Sequence, residues 1–336
     1  MKKIHKFTVG GLFSGVGGIE LAFERAGFEI SWSNEIDKNA CKTYRLNHPK
    51  HNLIEEDIYK LEPKKMKPVD VLVGGFPCQA FSVAGYRKGF KDPRGNLFYE
   101  IARFIDELKI KPKALMLENV KNLSGHDNGE TKNVIVKILR EFGYSVIWDI
   151  YNTAEYTNIP QNRERTIIVC FKNEVDWEFD LNLRKKSSSH YFTSHKIKKL
   201  NKRKSIQSIL DKNEVEEKYY YRQSSYMYKE LKKSIKRKDT VYQWRRVYVR
   251  ENQSNLCPTL TANMGTGGHN VPLILDDYGI RKLTPRECFR LQGFKKIKFS
   301  KDVASSQLYK QAGNSVTVDL IEKIALQIKK ALESNS

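Results

Sequence analysis

The chain has 336 residues, with 60 Lys and Arg against 39 Asp and Glu and a formal net charge of +21. With 40% hydrophobic and 11% aromatic residues it can bury one large α/β core or two smaller ones, which excludes disorder as the main state. No apolar run reaches the roughly 18 residues of a membrane span, and a pI near 9.6 points to a polyanionic partner, nucleic acid ahead of an anionic membrane surface.

The opening MKKIHKFTVGGLFSGVGG sets basic residues before an apolar stretch. Gly interrupts that stretch and Glu20 and Glu24 follow it, so it does not read as a signal peptide. Cys41, Cys78, Cys170, Cys257 and Cys288 stand singly with no CxxC pair. They suggest neither a disulfide framework nor a zinc site, and the expectation is reduced thiols, an intracellular protein and no metal.

Over the first 170 residues short apolar runs alternate with amphipathic stretches, the βαβ pattern of a mainly parallel sheet. Strands are expected at 7–13, 29–33, 69–74, 114–118, 145–150 and 166–171. Helices are expected at 19–26, 97–108 and 134–142, the first and last closed by Gly27 and Gly143.

The first strand runs into LFSGVGG, where Gly15, Gly17 and Gly18 allow a sharp turn and bring backbone N–H groups and a helix N-terminus to a ligand. Twenty residues beyond Gly15, Glu35 ends the second strand and can accept from ribose hydroxyls. The spacing is GxGG and not GxGxxG, so a nucleoside cofactor is suggested but the NAD fingerprint is not matched. Asp57, in EEDIY, reads equally as an adenine acceptor or as a solvated acidic turn.

The strand at 69–74 opens into VLVGGFPCQAFSVAG, setting Pro77 and Cys78 at the edge where a Rossmann sheet binds ligands. A free thiol, with a pKa of about 8.5, needs N–H donors or a cation to act as a thiolate, and Arg163 and Arg165 are the cations offered. The bland alternative is a small buried hydrophobe. Next, LMLENV delivers Glu118 and Asn119 to the same edge, where a shielded carboxyl can hand a proton to a ring nitrogen. In IPQNRERTIIV, Gln161, Arg163 and Arg165 alternate and so are expected on one face, suited to phosphate clamping or thiolate support.

Between 181 and 270 the texture changes to Lys/Arg clusters with Ser, Asn and Tyr. This segment holds 21 Lys and Arg against seven Asp and Glu, and eight of the 17 tyrosines. A solvated face is the usual fate of such a run. Here Gln243, Arg245, Arg246, Arg250 and Asn263 are side chains able to read groove edges while the remaining charge neutralises phosphates. After Arg281 the helical pattern returns and ends in an amphipathic helix at 316–332.

These blocks together resemble the cytosine-C5 DNA methyltransferases of the bacterial restriction-modification type. FSGVGG, Glu35, Asp57 with Ile58, GGFPCQAFS, ENV, QNRER, RKLTPRECFRLQGF and QAGNSV stand in that family's order over about residues 12 to 325. The resemblance implies an α/β fold: a Rossmann-like S-adenosylmethionine-dependent domain at 1–175, a smaller basic target-recognition domain at 176–296, and a C-terminal segment at 297–336 returning to the first. It implies methyl transfer from S-adenosylmethionine to C5 of a cytosine flipped out of duplex DNA, through a covalent Cys78 adduct with Glu118, Arg163 and Arg165 in support. Cofactor residues would be Phe13, Gly15, Gly17, Gly18, Glu35, Ile36, Asp57, Ile58, Pro77, Leu97, Asn314 and Ser315, with Val316 as a further lining residue. Ile36 departs from the larger side chain that stacks on adenine in many relatives. DNA contacts would come from Gln79, Ser82, Arg87, Lys88, Arg245, Arg246, Thr259 and Leu260, the first four on a closing loop.

The resemblance further implies a cytoplasmic, nucleoid-associated monomer that binds double-stranded DNA and no membrane, with room for a cognate restriction endonuclease as functional partner. The nearest rival is an RNA (tRNA) cytosine-C5 methyltransferase, against which the intact FPCQAFS block and long basic insert argue. A decayed, purely DNA-binding scaffold is opposed by the joint presence of Cys78, Glu118, Arg163 and the Gly loop. Amino-group methylation lacks its D/N-PP-Y/F/W block, and FPC stands at that strand end instead.

Overall fold

A computed structural model describes residues 6–76, 97–172, 197, 199–200, 204–266 and 270–334. The chain forms two compact units. One comprises Met1–Tyr151, Glu164–Lys198 and Leu320–Ser336, the other Asn152–Arg163 and Lys199–Asp319. The boundary expected at 296/297 thus falls inside the second unit, whose chain continues to Asp319.

The first unit opens with β1 (Thr8–Leu12), α1 (Gly18–Arg25), β2 (Glu29–Glu35), α2 (Lys38–Asn47), β3 (Leu53–Glu55) and β4 (Val71–Gly75). It continues with α3 (Leu97–Glu107), β5 (Ala114–Val120), α4 (Glu130–Glu141) and β6 (Ser145–Asn152). The expected strands and helices are therefore present, with ends shifted by a few residues. Gly27 and Gly143 follow α1 and α4 in the left-handed conformation that closes a helix. After α5 (Thr153–Tyr156) and β7 (Gln161–Asn162), both in the second unit, the chain returns as β8 (Glu164–Phe171).

The seven strands of the first unit lie in the order β3-β2-β1-β4-β5-β8-β6. Pairs β2/β3, β1/β2, β1/β4 and β4/β5 are parallel, and β8 runs antiparallel to β5. The sheet and its helices bury a core that includes Leu12, Trp32, Phe98, Phe104, Leu115 and Ile168. Strands β2 and β4 leave β1 in opposite directions across the sheet, so the carboxyl end of β1 is a topological switch point, where open α/β sheets bind ligands.

The second unit contains α6 (Tyr228–Ser234), β9 (Tyr242–Arg245), β10 (Tyr248–Glu251), β11 (Cys257–Pro258), β12 (Leu273–Leu275), β13 (Ile280–Lys282), α7 (Pro285–Arg290) and α8 (Ser305–Asn314). Strands β10-β9-β12-β13 form a sheet, and Met227, Leu231, Ile235, Tyr242, Leu273 and Ile280 make its core. Strand β11 pairs in parallel with β7. The buried Arg281 guanidinium donates to both Glu287 carboxylate oxygens at 2.8 Å and to Asp276 at 2.5 Å. Glu287 also accepts from Thr284 N at 2.8 Å in a capping box, so RKLTPRE serves as a scaffold that starts α7. The final helix, α9 (Val318–Ser334), carries the chain back into the first unit. Among the described residues no helix is long and apolar enough to cross a membrane.

Candidate active site

The candidate site of the first unit is built from the carboxyl ends of its parallel strands. Past β1, Phe13 takes a φ of 55°, uncommon for a bulky residue, and Gly15 and Gly17 follow at 56° and 86°. Gly17 has no tolerable substitute: besides its left-handed φ, a Cβ there would lie 2.5 Å from Nε2 of the buried His48. Burial lowers the His48 pKa to about 4, so a neutral ring supports the loop from below. Around Gly15 the reverse holds, since a Cβ there would meet nothing within 4 Å and the loop borders open space.

Glu35, at the end of β2, fixes this loop. Its Oε2 accepts from Gly15 N at 2.7 Å, and its Oε1 accepts from Ile36 N at 2.9 Å and Asp37 N at 2.8 Å. Asn34 donates to the carbonyls of Ile54 and Glu56 at 3.1 and 2.7 Å, joining the end of β2 to that of β3. Asp57 follows β3 and accepts from Tyr59 N at 3.1 Å, which starts a short turn in which Ile58 is buried. Ile36 is 59% exposed and offers an apolar surface beside Glu35. Leu97, at the start of α3, is partly buried against the core. Of the cofactor residues expected from sequence within the described part of this unit, Phe13, Gly15 and Gly17 follow β1, Gly18 starts α1, Glu35 and Ile36 stand at the end of β2, Asp57 and Ile58 follow β3, and Leu97 starts α3.

One buried residue near this loop was missed by the sequence reading, and a second, at the end of β5, was named without a role. Glu20 is fully buried on α1, and burial pushes its carboxyl up to about 7; the Ser14 and Ser33 hydroxyls oppose that rise and the Glu35 charge adds to it. The available signal was its place between Val16 and Phe23 at helical spacing, a carboxylate on an apolar stripe. Asn119 was noted only as part of ENV. It is buried and donates to the Phe76 carbonyl at 3.0 Å.

On the other side of the switch point, β5 delivers Glu118 opposite Gly75 of β4. A Cβ at Gly75 would approach Glu118 Oε2 to 3.4 Å, so glycine gives the carboxylate its room. Because β8 is antiparallel to β5, it begins where β5 ends: Ile167 stands opposite Glu118 and Arg165 opposite Val120. Arg165 therefore lies diagonally across from Glu118 on the same face, and its Nε reaches Oε1 at 2.8 Å. Glu118 is thus an ion-paired carboxylate and not the lone shielded acid that the sequence suggested.

The paired reading of the two arginines needs correction. Arg163 does not share a face with Arg165. It belongs to the second unit, is 1% exposed, and donates to the carbonyls of Leu260, Gly313 and Ser315 at 2.7, 3.1 and 2.6 Å. The alternation fails because residues 163 and 165 do not lie on one strand: β7 ends at Asn162 and β8 starts at Glu164. Asn314 and Ser315 also belong to the second unit, Asn314 exposed at the end of α8 and Ser315 buried just after it with Val316.

Among the expected DNA contacts, Arg245 and Arg246 are exposed at the β9–β10 hairpin. Tyr248 pairs with Arg245 there, leaving Arg246, at φ 58°, and Val247 as the turn. Arg250 and Asn263 are exposed and Gln243 is partly buried. The Thr259 hydroxyl donates to the Asn162 carbonyl at 2.7 Å. Leu260 is 1% exposed, so its side chain is core and not a contact surface. Pro77, Cys78, Gln79, Ser82, Arg87 and Lys88 lie outside the described residues.

A Gly-rich loop clasped by a strand-end carboxylate, and a carboxylate–guanidinium pair across the switch point, define an α/β group-transfer enzyme of the Rossmann-like methyltransferase type. The chain belongs to the C-5 cytosine-specific DNA methylase family, whose model matches residues 7–330, and it is a DNA cytosine-C5 methyltransferase. It is 46% identical over 328 residues to the Type II methyltransferase M.Bsp6I of Bacillus sp. (strain RFL6), covering 96% of this chain and 99% of that protein. It is 35% identical over 333 residues to the Type II methyltransferase M.HhaI of Haemophilus parahaemolyticus, covering 96% and 94%. In fold it is similar to the S. pombe Dnmt2 methyltransferase, with a TM-score of 0.71 at 20% identity over 97% of this chain and 99% of that one.

Proposed function

We propose that this enzyme takes its methyl group from S-adenosylmethionine and delivers it to a cytosine flipped out of duplex DNA, with Cys78 as nucleophile. The observation that carries this reading is the placing of Glu118, beside Arg165 at 2.8 Å, on the strand next to the one that runs into Phe76, Pro77 and Cys78. A cytosine C5 buried in a duplex is out of reach of such a strand end, and extruding the base costs a few kcal/mol.

The residues present suit the cofactor. Open space over Gly15, the Glu35 carboxylate beside it, the exposed Ile36 and the Asp57 turn would hold a ribose and an adenine, and Phe13, Gly17, Gly18, Ile58 and Leu97 would complete that wall. Asn314 and Ser315 are the further residues that the family resemblance assigns to the cofactor. S-adenosylmethionine supplies an electrophilic methyl group. The Cys78 thiolate would add to C6 of the cytosine, moving electron density to C5 while Glu118 contacts N3 and the exocyclic amine. Arg165 keeps the Glu118 carboxylate oriented towards the ring. Once C5 carries the methyl group it loses its proton, the C5–C6 double bond re-forms, and the thiolate leaves C6 to release 5-methylcytosine.

Arg245 and Arg246 at the hairpin, with Thr259, would meet the DNA, and the basic second unit would choose the target. A restriction-modification setting, with an endonuclease of the same specificity, accords with the Type II names of the relatives. The test is expression in a host without cytosine methylation, followed by bisulfite sequencing of the plasmid and of host tRNA. Protected cytosines in one short DNA context are expected. Protection confined to RNA would transfer the substrate, and full transfer by Cys78→Ser would sink the covalent route.

A further inference from the structure

The tripeptide Gln161-Asn162-Arg163 grips Thr259 and Leu260 by backbone and side chain. Gln161 Oε1 accepts from Leu260 N at 3.0 Å, Arg163 Nη1 donates to Leu260 O at 2.7 Å, and Thr259 Oγ1 donates to Asn162 O at 2.7 Å. The β7/β11 pairing and the bond from Cys257 N to Pro160 O at 2.7 Å extend the grip towards the N-terminal side.

The same Arg163 guanidinium reaches a second segment, donating through Nη2 to Gly313 O at 3.1 Å and Ser315 O at 2.6 Å. The two segments are also in direct backbone contact, since a Cβ on Gly313 would lie 2.2 Å from the Thr261 carbonyl carbon. Gln292 braces the joint, donating to Ala312 O at 2.7 Å and accepting from Gln161 Nε2 at 3.3 Å.

Three acceptors from two segments on one planar, charged donor make a fixed spacing, because charge-assisted bonds to a fork are directional and losing one buried carbonyl's partner is costly. A lysine would keep the charge but not the span. We propose that Arg163 is a positioning residue that couples 313–315 to 259–260, so that a cofactor held at the first segment orders the second, whose Thr259 is the residue read above as meeting the DNA. This rests on the reading above that Asn314 and Ser315 serve the cofactor and Thr259 the DNA. It gives Arg163 a task that neither touches cytosine nor supports the thiolate.

The test is amide hydrogen exchange on the full chain with and without saturating S-adenosylmethionine, beside calorimetric binding, in wild type and Arg163→Lys. In wild type the cofactor should protect 313–316 and also slow exchange of 257–261 by at least about fivefold, the lower range of allosteric coupling. Arg163→Lys should keep the first protection and lose the second. Protection of 313–316 alone in wild type overturns the proposal, and so does a variant that still transmits it. Should Arg163→Lys fail to fold, the wild-type exchange pattern decides by itself. Absence of both cofactor heat and protection would overturn the cofactor reading and the coupling with it, an outcome separate from binding without transmission.

Discussion

Asn119 Nδ2 donates to the Phe76 carbonyl at 3.0 Å, while its Oδ1 accepts from Val120 N at 2.8 Å. One side chain at the end of β5 thus pins the last described residue before Pro77 and Cys78 to the strand that carries Glu118. Both groups are buried, so Asn119→Ala leaves an acceptor without a partner, a loss of about 1–3 kcal/mol. The expected result is a kcat reduced roughly 10- to 100-fold with KM for the cofactor nearly unchanged, because the Gly15–Gly17 loop proposed to hold the cofactor is fixed by Glu35 and not by Asn119. Steady-state kinetics on a cognate duplex would show it, and a defect confined to cofactor KM would contradict it.

The Glu118–Arg165 pair makes an asymmetric prediction. Glu118→Gln preserves volume and an oxygen that can still accept from Arg165 Nε but removes the charge proposed to meet cytosine N3, so kcat should fall by about 100-fold or more with a smaller loss of thermal stability than Arg165→Ala shows. Arg165→Ala strands a largely buried carboxylate, and breaking such a pair from one side costs about 3 kcal/mol or more. That variant should lose both activity and several degrees of Tm. If Arg165→Ala melted like the wild type, the pair would not be the structural unit described.

Glu20 supplies a pH dependence whose sign is fixed. Its folded pKa, raised by burial from 4.5 to about 7, lies above the unfolded value, so folding retains a proton that the unfolded chain releases. Its stabilising contribution is complete below about pH 4.5 and is lost as pH rises towards 7, a swing of about 3 kcal/mol in total. Glu20→Gln mimics the protonated form. Urea titrations should find the variant close to wild type at pH 4.5 and increasingly more stable than wild type up to pH 8. A stability difference constant across that range would assign the residue a different state.

Much of the catalytic unit was legible because its chemistry sits where parallel strands end, and apolar runs reveal strand ends. Glu118 follows such a run, Glu35 closes an alternating strand and Asp57 a short one, and Gly15 and Gly17 turn the chain where an apolar run gives way to a helical stripe. Arg163 was misplaced because period-two alternation was applied across a break between β7 and β8 that no Gly or Pro marks. The hairpin at Arg246 was equally hidden, since its left-handed residue is an arginine where Asn or Gly is the usual signal. The second unit's core rests on Met227, Leu231, Tyr242, Leu273 and Ile280, spread thinly through a charged background, so no window of sequence showed its periodicity.

The contrast between the hairpin and Leu260 separates charge from packing in DNA binding. Arg245, Arg246 and Arg250 are exposed on β9, the turn and β10, whereas Leu260 is buried and fastened by Gln161 and Arg163. Each phosphate neutralised contributes about 0.9 to the slope of log affinity against log salt on duplex DNA. Replacing the three arginines by Gln should therefore weaken binding at 50 mM salt and flatten that slope by up to about three, with Tm preserved. Leu260→Ala should instead cost about 2–5 kcal/mol of stability as a core truncation and leave the slope of the folded protein as it was. Fluorescence anisotropy across a salt series, run beside thermal melts, reads both quantities. An unchanged slope in the triple variant would remove the hairpin from the phosphate contacts and place the basic excess of the 181–270 segment elsewhere on the DNA.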